Sequence, residues 1–198
     1  MRLRVSALVF AGVLALRTVA SAQQYHVRTM AAPDVKLASV HSFHLLPTPR
    51  RNDAAHKSGA YDPMVSNSIA NRALRASVSG ELEALGYHDV EWMPDFVVAI
   101  YATTRERLDL GLWSYGYDSS PHWWSMTLPD QTSTPATEGT VLVDIVNPET
   151  LDVLWRGTAT IPLDHDPLEN AKQLVNAAAA IVDRFPRAKP IVVASQAR

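Results

Sequence analysis

The sequence predicts an α+β fold in two layers, with a mainly antiparallel sheet of about four to six strands and two amphipathic helices packed on one face. Two runs within residues 139–159 alternate with the period of two that strands require. Residues 96–101, FVVAIY, are mostly β-branched and aromatic, which indicates an interior strand. Residues 63–85 and 167–185 repeat apolar side chains at spacings of three and four, the period of a helix.

The two alternating runs predict a β-hairpin at the centre of the sheet. Its turn begins with Asn147 and Pro148. Asn is favoured at the first position of a type I turn, and Pro presets φ at the second. After the turn, Trp155 is expected in the core, on the same face of the strand as Leu151 and Val153.

Arg156 follows Trp155 and is therefore expected to point to the opposite face of the sheet. Three interpretations of Arg156 stay open. It closes over the edge of the helix layer, it pairs with Asp144 across the hairpin, or it is solvated. Tryptophan and arginine are common anchors of interfaces, so Trp155 becomes a binding candidate if it is exposed.

Both helices have end signals. The first is expected over residues 63–85, with Asp62 as N-cap and Gly86 as the residue that ends it in a left-handed conformation. Residues 166–169, DPLE, give the second helix an N-cap, a proline at its first position and a glutamate at its third, and Pro186 stops it.

Shorter segments complete the predicted sheet. Residues 25–30 are a candidate short strand and residues 40–46 a better one. Residues 191–194 either add an edge strand or belong to the tail. The order of elements is then strand, helix, strand, long connection, hairpin and helix.

The first 22 residues have the pattern of a secretory signal peptide. Arg2 and Arg4 form a basic start, about twelve apolar residues follow, and small residues at 20–22 form a cleavage site. The apolar run is shorter than the roughly 20 residues that span a bilayer. We therefore expect cleavage between Ala22 and Gln23, a periplasmic or secreted location, and no transmembrane span in the mature chain.

The predicted organisation is a signal peptide at residues 1–22, an N-terminal extension at 23–34, one α+β domain at 35–186 and a C-terminal tail at 187–198. Cleavage separates the first of these from the rest. It removes three of the 18 basic residues and none of the 20 acidic ones, which leaves a net charge near −5. No basic cluster exists, so nucleic acid is not expected as a partner. The chain has no cysteine, which excludes disulfides, thiolate metal sites and a cysteine nucleophile.

Six short motifs span about residues 35–186. They are Phe43 with residues 46–47 (LP), 82–87 (LEALGY), 94–98 (PDFVV), 138–144 (EGTVLVD), 154–159 (LWRGTA) and 185–186 (FP). As a set they resemble the bacterial envelope family called domain of unknown function 4136, many of whose members are lipoproteins. The resemblance implies an exported domain with no assigned activity. This chain has no lipobox cysteine, which favours a soluble periplasmic form.

No catalytic, cofactor or metal motif emerges from the sequence. His41 and His44 resemble a metal pair, but an offset of three points them to opposite faces of a strand. Residues 164–166, DHD, are better explained by the helix cap. No Gly-x-Ser-x-Gly elbow or phosphate-binding loop is present. We therefore expect no catalytic residue, no cofactor and no metal.

The long connection between residues 102 and 138 is the candidate binding surface. Five aromatic side chains fall within twelve of its residues: Trp113, Tyr115, Tyr117, Trp123 and Trp124. The first three have the period of two and form one stripe if the connection folds as a second hairpin. Such a stripe suits stacking on sugars or grasping a peptide. The alternatives are that the rings cap the core or contact a membrane interface.

The leading hypothesis is a non-enzymatic binding or assembly module for a cell-envelope protein or glycan, acting through the aromatic loop. The alternative is a hydrolase-like enzyme whose catalytic residues are dispersed in the sequence. A third hypothesis is a purely structural factor that works by protein contact. The sequence leaves the oligomeric state open.

Export is the first testable expectation. Mass spectrometry of a periplasmic extract is expected to find a chain that begins at Gln23, because the apolar segment before it has the form of a cleaved signal peptide. Recovery of the intact chain from the cytosol would contradict the expected location.

Overall fold

The computed structural model describes residues 25–48, 50–51, 60–103, 113–114 and 138–190. Within these ranges the chain forms eight strands, two α-helices and a single 3₁₀ turn at Leu37–Ser39. In chain order the strands and helices are β1 His26–Ala31, β2 Ser42–Leu45, β3 Arg50–Arg51, α1 Ile69–Ala84, β4 His88–Asp89, β5 Phe96–Thr103, β6 Trp113–Ser114, β7 Glu138–Val146, β8 Val153–Pro162 and α2 Pro167–Val182.

Six strands form one sheet in the order β1-β8-β7-β5-β2-β4. Neighbours from β1 to β5 are antiparallel, whereas β5 with β2 and β2 with β4 are parallel. The chain passes through α1 between β2 and β4, and such a crossover is what parallel neighbours require. β3 and β6 form a separate antiparallel pair. The predicted α+β fold with a mostly antiparallel sheet and two helices is confirmed.

The central hairpin of β7 and β8 contains one irregularity. Ile145 pairs with Trp155, but the next pair is Val146 with Val153, so Leu154 is an extra residue in β8. Such a bulge changes which side chains share a face of the sheet. Trp155 is buried, as the sequence predicts, with 3% of its surface exposed. Its expected position on the same face as Val153 is wrong, because the bulge separates them.

The hairpin turn is held by Asn147. Its N–H donates to the carbonyl oxygen of Asp152 at 2.9 Å, and its Oδ1 accepts from the N–H groups of Glu149 and Thr150 at 2.8 and 3.1 Å. Leu151 has a φ of 63°, in the left-handed region, and its side chain is exposed. The expectation that Leu151 lies on the core face of the strand is therefore wrong, because the turn includes it.

α1 begins at Ile69, six residues later than the predicted start at Pro63. Asn67 has a φ of 62°, which a right-handed helix does not allow. Asn71 explains the turns before the helix: its Nδ2 donates to the Pro63 carbonyl at 2.7 Å, and its Oδ1 accepts from the Asn67 N–H at 3.3 Å. Ser68 is the N-cap and accepts from the Asn71 N–H. Side-chain hydrogen bonds therefore replace the first predicted helical turns.

α2 begins and ends close to the predicted residues. Asp166 is the N-cap, and its Oδ1 accepts from the Leu168 N–H at 2.9 Å. The helix lies on β7 and β8 and packs against α1. Leu174 and Ile181 are buried on its inner face. The recurrence of apolar residues at spacings of three and four along this helix therefore identified its core face correctly.

The shorter strands predicted from the sequence agree with the structure to different degrees. A strand at 25–30 was predicted and β1 is found one residue later, paired with β8 along the sheet edge. β2 is shorter than the predicted 40–46, and the N–H of His41, just before it, donates to the Asp95 side chain instead of to a neighbouring strand. Residues 191–194 lie outside the described residues.

Gly157 allows the helix layer to approach the hairpin. It lies two residues beyond Trp155 in β8, on the same face. A Cβ atom added to Gly157 would lie 2.6 Å from Cη2 of Trp155 and closer still to Ile181 of α2. The Trp155 ring in turn packs edge-on against Phe185, with the ring centroids 5.1 Å apart. Only a residue without a side chain fits at position 157 in this packing.

We expect Gly157→Ala to lower the free energy of unfolding by about 1 to 3 kcal/mol through overpacking. Gly80, in the middle of α1, is a matched control because no atom lies within 4 Å of an added Cβ atom there. Gly80→Ala is expected to raise stability by about 0.5 to 1 kcal/mol, since glycine is a poor helix former. Urea denaturation of both variants measures the difference, and equal midpoints would contradict the packing described above.

Candidate functional site

The five aromatic residues chosen from the sequence stay a prediction. The backbone of Trp113 pairs with Arg51 between β6 and β3, and nothing is described of its side chain. Tyr115, Tyr117, Trp123 and Trp124 lie outside the described residues. The candidate site that can be built from contacts therefore lies elsewhere in the fold.

The two histidines considered as a metal pair have separate partners. His41 Nε2 lies 2.8 Å from the carbonyl oxygen of Lys189, whereas His44 Nδ1 lies 3.3 Å from Oδ1 of Asp89. Across the described ranges, no group of three or more histidines and acids is arranged to hold a metal ion. His41, just before β2, instead contacts the C-terminal segment, and His44 of β2 contacts β4.

Arg156 pairs with Asp144 across the hairpin, which is one of the three interpretations left open by the sequence. Nε donates to Oδ1 at 2.6 Å and Nη2 donates to Oδ2 at 2.5 Å. Both side chains are completely buried. Two parallel hydrogen bonds of this kind fix the relative position of the two groups. Since both carboxylate oxygens accept from the guanidinium, the pair serves the sheet and is a poor candidate for a general base.

The most exposed large apolar side chains of the described residues are neighbours in sequence. Trp92 is 83% exposed and Met93 is 84% exposed, in the turn between β4 and β5. We call Glu91–Pro94 the apolar turn. Single exposed apolar residues are common on protein surfaces, but an adjacent tryptophan and methionine form a contact surface of the kind found at interfaces.

The apolar turn is anchored at both ends. The Val90 N–H donates to the carbonyl oxygen of Phe43 at 2.8 Å. At the other end, Oδ2 of Asp95 accepts from the His41 N–H at 2.8 Å and from both the N–H and the hydroxyl of Ser42 at 2.9 Å. Met93 has a φ of 52°, in the left-handed region, which is uncommon for a side chain without a short polar group. The turn therefore presents its apolar side chains from a fixed base.

The hydrogen bonds to Asp95 also determine its protonation. Partial burial alone would raise the pKa of this carboxyl group, but the hydrogen bonds from the His41 and Ser42 N–H groups and the Ser42 hydroxyl outweigh it. The pKa of Asp95 is therefore held below its ordinary value of 3.8. The surface around the turn is acidic at neutral pH, since Asp89 and Glu91 are also exposed.

A cavity of about 360 Å³ lies at another part of the sheet, between the end of β1, the 3₁₀ turn and the segment after α2. We call it the basic cavity. Its apolar lining includes Val35, Leu37 and Trp155, of which the last two are buried and form the floor. Its exposed lining residues include Lys36, Arg184 and Lys189. The sequence did not indicate this site, because its three cations are far apart in the chain.

Tyr87 fixes one wall of the basic cavity. Its hydroxyl donates to the carbonyl oxygen of Pro186 at 2.7 Å. Burial raises the pKa of Tyr87 to about 12, so the hydroxyl remains a donor at neutral pH. Lys189 is held as well, because its N–H donates to the Ala38 carbonyl at 2.9 Å. The backbone on two sides of the cavity is therefore connected by hydrogen bonds.

The family designated domain of unknown function DUF4136 matches residues 27–187. The chain belongs to this family. The resemblance read from the six sequence motifs is thereby confirmed, and the family carries no assigned activity. No curated protein matches the sequence closely enough to count as a relative. In the described part of the chain, no helix has the length and apolar character needed to cross a bilayer.

Two solved structures illustrate what the fold is similar to. One is the PelC dodecamer from Paraburkholderia phytofirmans, with a TM-score of 0.45, 9% identity, and coverage of 84% of this chain and 99% of that one. The other is a PDZ domain protein from Parabacteroides distasonis ATCC 8503, with a TM-score of 0.44, 14% identity, and coverage of 83% and 36% respectively. At these values neither neighbour bears on the function of this chain.

The anchor of the apolar turn makes a prediction about pH. Because the pKa of Asp95 is lowered in the folded state, its stabilising effect is present above about pH 4 and is lost as the pH falls through the folded pKa. Asp95→Asn is expected to be less stable than the wild type at neutral pH and to lose less stability on acidification. Urea midpoints at neutral and acidic pH measure this.

Glu149→Gln is the control for the loss of one surface carboxylate, because no described hydrogen bond reaches the Glu149 side chain. Identical pH dependence in Asp95→Asn and the wild type would contradict the role of Asp95 as an anchor.

Proposed function

We propose that this chain is an exported, non-enzymatic binding and assembly module for a component of the cell envelope, either a protein or a glycan. The observation that carries the proposal is the apolar turn, where Trp92 and Met93 are exposed on an anchored base. The aromatic loop around Trp113, Tyr115 and Tyr117 is proposed as the surface that captures the envelope component. The pattern of residues 1–22 supports export.

The arrangement of titratable groups supports binding over catalysis. Within the described ranges, His41 bonds to a backbone carbonyl and His44 to a carboxylate, and neither contacts a hydroxyl group. The buried carboxylate of Asp144 is occupied by Arg156. Hydrolysis through a covalent intermediate requires a nucleophilic side chain that is activated by a base beside it. The Ser42 hydroxyl does donate to Asp95, but the same carboxylate oxygen also accepts from two backbone N–H groups, so this contact favours an anchoring role over the hydrolase-like alternative.

Capture from crosslinked envelopes tests the proposal. The mature chain carrying an affinity tag is compared with a turn variant, Trp92→Ala with Met93→Ala, and with a loop variant in which Trp113, Tyr115 and Tyr117 become Ala. Aromatic residues at the centre of an interface contribute about 2 kcal/mol or more. We therefore expect recovery of the envelope component to fall roughly 30-fold in at least one variant.

Ile69→Ala is the matched control, because Ile69 is an exposed apolar residue outside both surfaces. It should recover the component as well as the wild type does. Circular dichroism and urea midpoints close to wild type must accompany any loss. If all three variants recover the same molecules, or if the wild type recovers no more than empty resin, the proposal is wrong.

A further inference from the structure

We infer that the apolar turn of one copy of this chain docks into the basic cavity of a second copy, so that the copies associate head to tail. The inference rests on the proposed function in one respect, since it takes the apolar turn to be a contact site. It goes further by naming the occupant of that contact and the receiving surface on the partner.

The apolar parts of the two surfaces match. The turn projects the Trp92 and Met93 side chains, both more than four-fifths exposed. The cavity holds about 360 Å³ over a floor that includes Leu37 and Trp155. Ligand pockets in proteins begin at about 300 Å³, so the cavity is large enough for an indole ring. A tryptophan side chain buries about 150 to 250 Å² in such a site.

The charges of the two surfaces are opposite. Glu91 directly precedes Trp92 and is exposed, and Asp89, three residues before Trp92, is also exposed and lies 3.3 Å from His44. The edge of the cavity carries the cations Lys36, Arg184 and Lys189, and no carboxylate is among its lining residues. None of these three cations pairs with a carboxylate elsewhere in the described ranges. The apolar turn and the basic cavity are therefore complementary in charge and in apolar character. Because both surfaces belong to this chain, a second copy is favoured over other occupants.

The two surfaces consist of different residues, although His41 contacts both neighbourhoods: its N–H donates to Asp95 after the apolar turn, and its Nε2 lies 2.8 Å from the Lys189 carbonyl oxygen at the cavity. The apolar turn follows β4, which is one edge strand of the six-stranded sheet. The cavity includes Ala31 at the end of β1, which is the other edge strand. The two surfaces share no residue, so the contact is heterologous. A heterologous contact forms a closed ring when its rotation closes and an open chain when it does not.

The expected association is weak for a single contact. One turn inserted in one cavity buries less than the roughly 1,000 Å² of a stable interface. Sedimentation velocity of the purified mature chain, at concentrations from micromolar to millimolar, is therefore the suitable measurement. The wild type is expected to show a weight-average sedimentation coefficient that rises with concentration and falls when salt is added.

Two variants, each expected to remain monomeric alone, test the geometry. Trp92→Ala removes the indole ring of the apolar turn and leaves the basic cavity intact. Lys36→Glu with Lys189→Glu reverses the charge of the cavity and leaves the apolar turn intact. When the two variants are mixed, the apolar turn of the charge-reversed variant can bind the intact cavity of the Trp92→Ala variant. The mixture is expected to form a dimer and nothing larger, since each dimer has only one working contact. Ile69→Ala should assemble as the wild type does.

Each outcome is decisive. A wild type that stays monomeric throughout, a Trp92→Ala variant that assembles within tenfold of the wild-type affinity, or a mixture that stays monomeric while the wild type assembles would overturn the inference. The test uses purified protein alone, so it is independent of the envelope component. A wild type that assembles but recovers no more envelope component than empty resin would contradict the proposed function and leave this inference standing.

Discussion

The buried ion pair between Asp144 and Arg156 fixes the register on which the rest of the sheet depends. Burying two charges is expensive, and the cost is recovered only when both hydrogen bonds form with good geometry. A slip of β8 by one residue against β7 would place Arg156 on the face opposite to Asp144 and separate the two groups. Since Trp155 and Gly157 flank Arg156, the same register places them beneath α2. A polar contact on one face thereby determines apolar packing on the other.

This register reaches the basic cavity through the C-terminal end of α2. The Trp155 ring packs against Phe185, and both are buried. The next residue, Pro186, is held by the Tyr87 hydroxyl, and Lys189 is held by the carbonyl of Ala38. The cavity is therefore a product of core packing and backbone hydrogen bonds, and its cations sit on a rigid frame. Preorganised groups lose little conformational entropy on binding, which raises affinity for a complementary surface.

The sequence predicted those elements whose local signals agreed with the final packing. The cap at Asp166 and the apolar period behind it identified α2, because nothing distant competes with that cap. α1 was placed too early, since Asn71 forms hydrogen bonds that no periodicity reveals. The bulge at Leu154 depends on pairing between strands, so the faces of β8 could not be read from alternation alone. Trp92 and Met93 of the apolar turn belong to no periodic pattern and to none of the six motifs, and their exposure emerges only from the fold.

The apolar turn exposes two large apolar side chains to water, and hydrogen bonds to the sheet hold it in this conformation. Met93 adopts a left-handed backbone conformation, which costs free energy for a residue with a Cβ atom. Asp95 offsets part of that cost by accepting three hydrogen bonds, two from Ser42 in β2 and one from His41 just before it, so the turn is supported by the sheet. Strain that is stabilised elsewhere in this way is characteristic of functional segments. Because the same hydrogen bonds hold the carboxylate ionised, one residue preserves both the shape of the turn and the negative charge of its surroundings.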